Sequence, residues 1–144
     1  MKIDHFAEDH AFLSNFYPAT VRFEGEDYPT SEHAYQAAKT LDPRQRAKIR
    51  LKDTPGKAKR AGRGVTVRSG WNGVREAIML TILRDKFSRE PLRTMLADTG
   101  DSGLVEGNDW SDTFWGVSSR TGRGKNVLGI LLMRVRAEIV EGKT

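Results

Sequence analysis

The sequence predicts a mainly helical α+β domain with a small antiparallel β element. Two long stretches carry apolar residues at helical spacing, one from about Asn72 to Phe87 and one that closes the chain. Shorter helices follow local start signals, whereas only one stretch shows the period of two that is typical of strands. The 144 residues contain no repeat, low-complexity tract or linker. We therefore expect one domain over residues 1–144.

Local signals place the elements in order. Val21 and Phe23, followed by Tyr28, predict a hairpin that turns between Glu24 and Asp27. Three helix starts carry a cap residue: Thr30 or Ser31 for a helix to about Lys39, Asp42 before Pro43 for the next, and Thr54 before Pro55 for a short helix ending near Gly62. A short helix is expected after Pro91, and the last helix has its apolar stripe at Leu128, Leu131, Leu132, Val135 and Ile139.

Composition limits the class of protein. The chain is 38% hydrophobic and 30% charged, which is typical of a globular domain. Cysteine is absent, so disulfides, cysteine-based zinc sites and thiol nucleophiles are excluded. No stretch reaches the ~18 apolar residues of a membrane span, and the first ten residues lack the apolar part of a signal peptide. We expect a cytoplasmic protein that has no membrane partner.

Basic residues are concentrated between Pro43 and Arg75, a stretch called the basic segment below. Eleven Lys or Arg stand there against one acid, Asp53, so the segment carries +10 in a chain whose net charge is +5. Such a segment favours a polyanion as partner, and the alternative is a solvated face whose charges serve solubility. The eleven residues are Arg44, Arg46, Lys48, Arg50, Lys52, Lys57, Lys59, Arg60, Arg63, Arg68 and Arg75.

The stretch from Thr30 to Lys39 places several reactive side chains on one helical face. Glu32, then Tyr35 or Gln36, then Lys39 follow the spacing i, i+3 or i+4, and i+7, so their polar ends can converge. Glu32 and Lys39 are separated by about 10 Å along the axis, a gap that two long side chains can share with a bound sugar. The alternative interpretation is that the two charges merely match the two ends of the helix dipole.

Two later segments have the composition of ligand sites. Asn108–Gly116 combines aromatic rings with carboxylates, which suits a wall that stacks a base or sugar; a core tryptophan with turn-forming Asp residues is the alternative. Arg120–Asn126 opens the last helix with two glycines. Free backbone N–H groups at that helix start, with Arg120, Arg123 and Lys125 nearby, predict a phosphate or pyrophosphate site. A flexible basic loop without ligand is its alternative.

Spacing argues against two other chemistries. The three histidines lack the i, i+4 spacing of a helical zinc site, and no His and carboxylate triplet occurs. No G-x-S-x-G element surrounds a serine. We expect no metal, no cofactor and no serine nucleophile.

Four spaced motifs run through the chain from about Phe12 to Arg136. They are an S-N-F motif in Phe12–Pro18, a T-x-E-H-x-x-Q-A-x-K helix in Tyr28–Lys39, a D-x-x-W-G loop in Asp112–Gly116 and a G-x-G-x-N-x-L-G helix start in Gly122–Gly129. Together with Trp71-Asn72 before the long helix, they resemble the NADAR family, also called YbiA-like. The resemblance implies that family's α+β fold.

The resemblance also implies an N-glycosidase that acts on ADP-ribose-like or phosphoribosyl-like groups joined to a nitrogen base. One implied substrate is ADP-ribose on guanine in nucleic acid, with a DNA ADP-ribosyltransferase toxin as the expected partner of an antitoxin-like enzyme. A second is a ribosylamino-pyrimidine phosphate of riboflavin biosynthesis. A module that binds ADP-ribose without catalysis is the alternative from another class.

Residue roles follow from this implied chemistry. Breaking a ribose C1–N bond passes through an oxocarbenium-like state, which a carboxylate stabilises while it activates water, and we assign that role to Glu32. Asp112 is the expected second carboxylate, and Lys39 is an alternative nucleophile that forms a Schiff base with an opened sugar. The other expected substrate contacts are Asn15, Phe16, His33, Tyr35, Gln36, Trp71, Trp115, Gly116, Gly122, Arg123, Gly124, Lys125 and Asn126.

Overall fold

The computed structural model describes residues 1–142 and confirms the mainly helical α+β class. In chain order, its elements are β1 (Lys2–Ile3), β2 (Val21–Phe23), β3 (Glu26–Tyr28), α1 (Ser31–Ala38), α2 (Pro43–Arg50), α3 (Pro55–Ala61), α4 (Trp71–Lys86), α5 (Leu92–Ala97), β4 (Gly103–Leu104), β5 (Gly107–Asn108), β6 (Val117–Ser118) and α6 (Val127–Val140). Short 3₁₀ helices cover Glu8–Leu13 and Gly62–Gly64. None of the helices within residues 1–142 is long and apolar enough to cross a membrane.

The chain divides into two compact units. The central unit is Asn15–Lys86, which contains β2, β3 and α1 to α4. The terminal unit combines Met1–Ser14 with the chain from Phe87 onward. The expectation of one domain over residues 1–144 stays a prediction.

Helix α1 is the core helix of the central unit. All eight of its residues are buried, and it packs on α2, α3, α4 and the β2–β3 hairpin. Ala34, Ala37 and Ala38 are fully buried and let the neighbouring elements approach closely. Because α1 is surrounded, its polar residues Glu32 and Gln36 are buried as well. A buried polar group requires a hydrogen-bond partner, so these side chains are informative about function.

The predicted start signals and hairpin of the central unit are confirmed. The Thr30 hydroxyl accepts the His33 N–H at 3.1 Å at the start of α1. Asp42 caps α2 through the Arg44 N–H at 2.9 Å, and Thr54 caps α3 in the same way. Val21 pairs with Tyr28 across the antiparallel hairpin. Helices α1, α2 and α3 therefore begin at their predicted cap residues, and the hairpin turns between the predicted strands.

The terminal unit contains strands that the sequence analysis missed. Helix α6 packs on α5 and on β4, with Leu128, Leu132 and Val135 buried in the core. Two parallel strand pairs occur besides the predicted antiparallel hairpin: β1 with β4 and β5 with β6. Each strand in these pairs is two residues long, which is too short for a period of two to be recognised.

Candidate active site

The predicted polar face of α1 is present in the central unit. The Gln36 side-chain amide donates to Oε2 of Glu32 at 2.6 Å, one helical turn away. The backbone N–H of Glu32 donates to the carbonyl oxygen of Asn15 at 3.0 Å, which holds the Asn15–Phe16 loop against the start of α1. The Glu32 side chain is thereby fixed in position, with only 8% of the residue exposed.

Lys39 lies at the other end of this face. Its Nζ is 5.7 Å from the centre of the Tyr35 ring, and Tyr35 contacts Trp71 with ring centres 5.4 Å apart. Burial lowers the pKa of the Lys39 ammonium, and the negative charge of Glu32 opposes that shift. Glu32 and Lys39 therefore interact electrostatically, with an aromatic pair beside the lysine.

Three further cations surround Lys39. The positive charges of Lys59, Arg63 and Arg75 each contribute to lowering its pKa, although less than burial does. Lys59 also lies over the ring of Phe16, with 6.0 Å between Nζ and the ring centre. All three residues belong to the basic segment, which was expected to face a polyanion, but none was expected to contact the ribosyl group. Lys59 and Arg63 could have been found from their i, i+4 spacing after the Thr54 cap, whereas no sequence signal singles out Arg75.

Other parts of the basic segment have local acidic partners. Arg46 pairs with Glu24 at 2.7 Å, and Lys57 pairs with Asp53 at 3.0 Å. Such exposed or partly exposed pairs contribute little to stability. The segment is therefore divided between local ion pairs and the cations beside Lys39.

Several buried polar atoms near this face have no hydrogen-bond partner among the described residues. They include Oε1 of Gln36, Oδ1 of Asn15 and Oγ of Ser31. A buried polar group left without a partner costs about 1–3 kcal/mol. Natural folds retain such groups mainly where a ligand or water completes them. A water or a ligand would complete these atoms, and for this reason Asn15 and Gln36 are kept as candidate site residues.

Gly62 keeps the Gln36 amide in place. A Cβ at position 62 would collide with Oε1 and Cδ of Gln36, so only glycine permits this contact. The backbone that joins α3 to Arg63 thus packs directly on the side chain that holds Glu32. This contact packs the end of α3 on the α1 face.

His33 has a structural role instead of the expected substrate contact. The residue is 1% exposed, and both of its ring nitrogens have partners within the central unit. Nε2 lies 2.9 Å from the Lys52 carbonyl oxygen, which can only accept, so Nε2 carries the proton. Nδ1 then accepts from the Thr30 hydroxyl at 2.7 Å. The ring ties α1 to the connection between α2 and α3, and no nitrogen remains for substrate.

Asp112 organises its own loop in the terminal unit. Its Oδ1 accepts the N–H groups of Phe114 at 3.2 Å and Trp115 at 3.0 Å. The side chain of Asn108 both donates to the Asp112 carbonyl and accepts its N–H, which closes the loop at its base. The catalytic role of Asp112 stays a prediction, but half of its carboxylate already stabilises the turn. The expected contact at Gly116 also stays a prediction, and that glycine is buried.

The expectation of free N–H groups before α6 is wrong. Four consecutive amides donate to carbonyls of the preceding loop: Lys125 to Thr113 at 2.8 Å, Asn126 to Gly116 at 3.2 Å, Val127 to Phe114 at 3.1 Å and Leu128 to Trp115 at 3.0 Å. A helix N-terminus binds anions only through amides that lack other partners. The N–H groups of Lys125–Leu128 are therefore already used by the fold, whereas a phosphate contact through the side chains of this segment stays a prediction.

Asn126 and Gly124 are likewise used by the fold. Oδ1 of Asn126 accepts the Glu106 N–H at 2.9 Å, and its Nδ2 donates to the Leu104 carbonyl at 2.9 Å. Gly124 has φ +153°, and a Cβ there would collide with the Gly116 carbonyl. These contacts explain both residues without a ligand. Contacts through Gly122 and the exposed side chains of Arg123 and Lys125 stay predictions.

The structure therefore separates the expected site residues into two groups. Seven lie in the central unit around the α1 face: Asn15, Phe16, Glu32, Tyr35, Gln36, Lys39 and Trp71. The others, apart from His33, lie in the terminal unit: Asp112, Trp115, Gly116 and the segment Gly122–Asn126. Only the first group combines a buried carboxylate with buried acceptors that lack partners.

A buried carboxylate, a partly buried lysine whose pKa is lowered and a neighbouring aromatic pair make the α1 face the candidate active site, because ionisable groups with shifted pKa values are common at enzyme sites. The NADAR domain model matches residues 3–140, and the chain belongs to the NADAR family. This finding confirms the resemblance that the four motifs predicted.

Known relatives give the general class of reaction. N-glycosidase YbiA of Escherichia coli is 38% identical over 136 residues, which cover 92% of this chain and 84% of the relative. A riboflavin biosynthesis protein of Vibrio vulnificus is 39% identical over 137 residues, covering 93% of this chain but 37% of that longer protein. The NMR structure of the E. coli protein YbiA matches with a TM-score of 0.85 at 36% identity, over 99% of this chain and 89% of that one. These relatives support an N-glycosidase, a hydrolase of N-glycosyl bonds, as the class of enzyme.

Proposed function

We propose that the chain hydrolyses the bond between C1 of ADP-ribose and a guanine base in nucleic acid. The observation that carries the proposal is the buried Glu32 carboxylate, held by Gln36 and lying in the electrostatic field of Lys39. Relatives named N-glycosidase support the type of bond. ADP-ribose joined to guanine in nucleic acid is preferred as substrate because the exposed charges of the basic segment suit a phosphate backbone.

Glu32 performs the central step in this proposal. As the C1–N bond breaks, the carboxylate stabilises the positive charge that develops on the ribose ring. It then accepts a proton from the attacking water, whose oxygen forms the new bond to C1. The guanine nitrogen takes up a proton and stays in the nucleic acid, so one water is consumed for each ADP-ribose released. The Tyr35–Trp71 pair offers an aromatic surface for a planar ring.

Lys39 offers a second route to the same products. Burial lowers its pKa, which increases the fraction of neutral amine available as a nucleophile. That amine attacks C1 of a ring-opened ribosyl group, displaces the base and forms an imine. Water then hydrolyses the imine and returns the free lysine.

A smaller substrate is the second candidate, and one specific observation favours it. Two relatives carry the name riboflavin biosynthesis protein, one from Vibrio vulnificus and one from Zea mays. A ribosylamino-pyrimidine phosphate contains the same C1–N bond and a phosphate. The chain spans only 37% and 23% of those two proteins, so their names describe much longer molecules.

The exposed part of the basic segment supports nucleic acid over the smaller substrate. Arg44, Lys48, Lys52 and Arg60 are exposed, and such charges attract a phosphate backbone. Binding of an ADP-ribosylated oligonucleotide is therefore expected to weaken steeply between low and moderate salt. Binding of a ribosylamino-pyrimidine phosphate is expected to depend on salt much less. An oligonucleotide affinity that is insensitive to salt would contradict the nucleic-acid version.

The decisive assay presents both substrates separately and identifies products by mass. We expect ADP-ribosylated guanine DNA to lose its ADP-ribose and regain unmodified guanine. Release of a pyrimidine base from the second substrate alone would replace the first proposal by the second. Binding of ADP-ribose without cleavage of either substrate would indicate the non-catalytic module. A toxin partner is tested by asking whether the chain restores growth in cells that express a DNA ADP-ribosyltransferase.

A further inference from the structure

A groove lies between β2 and α4 within the central unit. Its volume is about 360 Å³, at the small end of the about 300–1,000 Å³ range of ligand pockets. Val74, Ala77, Ile78 and Thr81 line it from α4, and Phe23 lines it from β2. Among the described residues, none of those expected to contact the substrate lines this groove. It is therefore a feature that the proposed function has not yet used.

The α4 side of the groove is an apolar strip. Its four residues follow the spacing i, i+3, i+4 and i+7, so they share one face of the helix. Ala77 and Thr81 are exposed, and Val74 and Ile78 are half-buried, whereas Leu83 on the core face of the same helix is fully buried. The Thr81 hydroxyl donates to the Ala77 carbonyl at 3.0 Å, which makes the strip less polar. The strip is thus an apolar surface that the core of the unit leaves uncovered.

The charged residues that line the groove have partners, with one exception. Arg22 pairs with Asp27 at 3.0 Å, and Glu24 pairs with Arg46 at 2.7 Å. Arg68 is half-buried, and its guanidinium forms no hydrogen bond or ion pair with any of residues 1–142. A guanidinium presents five N–H donors in a planar arrangement that suits phosphate oxygens. The groove therefore combines an apolar strip with a cation whose donors are available to an anion.

The groove and the α1 face are neighbours. The Arg68 N–H donates to the Lys39 carbonyl oxygen at 2.7 Å, and Lys39 is the last residue of that face. Helix α4 begins at Trp71, which contacts Tyr35, and Val74 of the strip follows one turn later. A ligand bound at the α1 face that continues beyond its ribose therefore has the groove next to it.

We propose that the groove binds the nucleotide next to the modified guanine in a nucleic-acid substrate. The Arg68 guanidinium donates to the phosphate of that nucleotide, and its base lies on the apolar strip of α4. A nucleotide fits both features, because it joins a flat ring to a negative charge. The choice of nucleic acid rests on the proposed function. A strand also complements the rest of the basic segment better than an acidic peptide does, because it carries a negative charge at every phosphate.

Binding of labelled single-stranded DNA, measured by fluorescence anisotropy, tests the groove. One DNA carries a single ADP-ribosylated guanine at its centre, a second has the same sequence without the modification, and ADP-ribosylated guanosine, measured by calorimetry, lacks flanking nucleotides. Arg68→Gln removes the charge, and Ala77→Glu places a carboxylate in the groove at an exposed position. We expect each variant to weaken binding of both DNAs about tenfold and to change binding of ADP-ribosylated guanosine less than twofold.

Salt dependence separates a phosphate contact from an effect on structure. Loss of one phosphate contact reduces the slope of log affinity against log salt by about 0.7 for a single strand, and we expect this reduction in Arg68→Gln. Arg84→Gln is the matched control, because it removes an exposed charge from α4 at a position that does not line the groove. It is expected to change DNA affinity less than twofold and to leave the slope unchanged.

Four outcomes would overturn the proposal. They are a wild-type protein that binds neither DNA, unchanged DNA affinity in both groove variants, an equal loss for ADP-ribosylated guanosine, and a loss in Arg84→Gln as large as that in Arg68→Gln. If one groove variant melts more than a few degrees below wild type, the other variant decides, because the two changes lie on different elements. DNA binding that depends on the groove, without release of ADP-ribose, would support the groove and contradict the hydrolysis. Release of ADP-ribose with unchanged DNA affinity in both groove variants would do the reverse.

Discussion

Helix α1 and the segment from Asp112 to Asn126 both carry ligand-type residues, but the fold uses their polar groups differently. In the segment, consecutive amides, the Asn126 side chain and one Asp112 oxygen are bonded to the protein's own groups. On α1, a buried carboxylate has cations around it, and neighbouring buried acceptors such as Gln36 Oε1 lack partners. The difference teaches that a motif rich in glycine, aromatic and acidic residues can serve the fold. Buried polar atoms without partners are the better marker of a site.

The largest expected effect separates the two carboxylates. Glu32→Gln removes the charge with little change in volume, and we expect turnover to fall about 10²–10⁴-fold because the general base is lost. Asp112→Asn keeps an oxygen for the Phe114 and Trp115 amides, and we expect less than a tenfold loss. Single-turnover rates on the substrate that the mass assay identifies give both values.

Glu76→Gln is the matched control for this pair, because it removes an exposed acid from α4. It is expected to retain wild-type turnover. An unchanged rate in Glu32→Gln, or a loss in Asp112→Asn as large as that in Glu32→Gln, would contradict the account.

The next effect distinguishes the two chemical routes at Lys39. Lys39→Arg keeps the positive charge but cannot form an imine. If the imine carries the reaction, this variant loses about 10²-fold or more in rate, and borohydride traps a covalent adduct on the wild-type protein with substrate. The wild-type rate then rises with pH until the lowered pKa of Lys39 is passed, because the protonated amine cannot attack.

Two results together would exclude the imine route. The wild-type enzyme would turn over in borohydride without a mass adduct, and the Lys39→Arg variant would be active. Lys52→Arg, at an exposed lysine on the same unit, controls for the substitution itself.

A stability effect is expected where the segment before α6 serves the fold. Asn126→Ala leaves the Glu106 N–H and the Leu104 carbonyl without their partner. We expect a loss of about 2 kcal/mol in the free energy of unfolding, with ligand affinity of the folded protein unchanged. Urea unfolding measures the first and calorimetry the second. Asn72→Ala, at an exposed asparagine, is the control. If Asn126→Ala has normal stability but loses phosphate affinity, Asn126 binds the ligand and does not serve the fold.

A pH-dependent effect on stability is expected from Lys86, which is fully buried at the end of α4. Burial lowers its pKa from 10.5 to about 7. The unfolded chain therefore binds more protons than the folded one between pH 7 and 10.5, so this lysine makes stability rise with pH in that window, by at most about 1.4 kcal/mol per unit. Below pH 7 both states are protonated and its destabilising contribution is constant.

Lys86→Met tests that sign in urea unfolding at several pH values. Relative to wild type, the variant gains most stability at pH 6, and the difference shrinks as the pH approaches 10. Lys57→Met, at an exposed lysine, should follow the wild-type curve. Parallel curves for wild type and Lys86→Met would show that Lys86 is charged in both states.

Local chemistry made the elements predictable. Thr30, Asp42 and Thr54 each cap a helix through a side chain and a nearby amide, so the signal and its effect lie within three residues. The parallel pair β1–β4 joins Lys2 to Gly103, whereas β5–β6 joins Gly107 to Val117 across a loop. Nothing local encodes such a pairing when each strand has two residues.

The site was predictable to the extent that it lies on one helix. Glu32, Gln36 and Lys39 share a face because of helical periodicity alone. Arg75 acts electrostatically on Lys39 from another helix, and the amides of Lys125–Leu128 are bonded to carbonyls of the loop Thr113–Gly116. Both results depend on tertiary packing, which periodicity does not describe. His33 belongs with them, because its partner Lys52 lies on a different connection.

Titration of ¹⁵N-labelled protein with ADP-ribose tests the central claim most directly, because NMR follows each amide separately. The account predicts the largest shifts at the side-chain amides of Asn15 and Gln36 and at the backbone of Lys39 and Arg63. The amides of Lys125–Leu128 should move little. Shifts concentrated at Lys125–Leu128, with the Gln36 side chain unmoved, would contradict the claim that ligand binds beside Glu32.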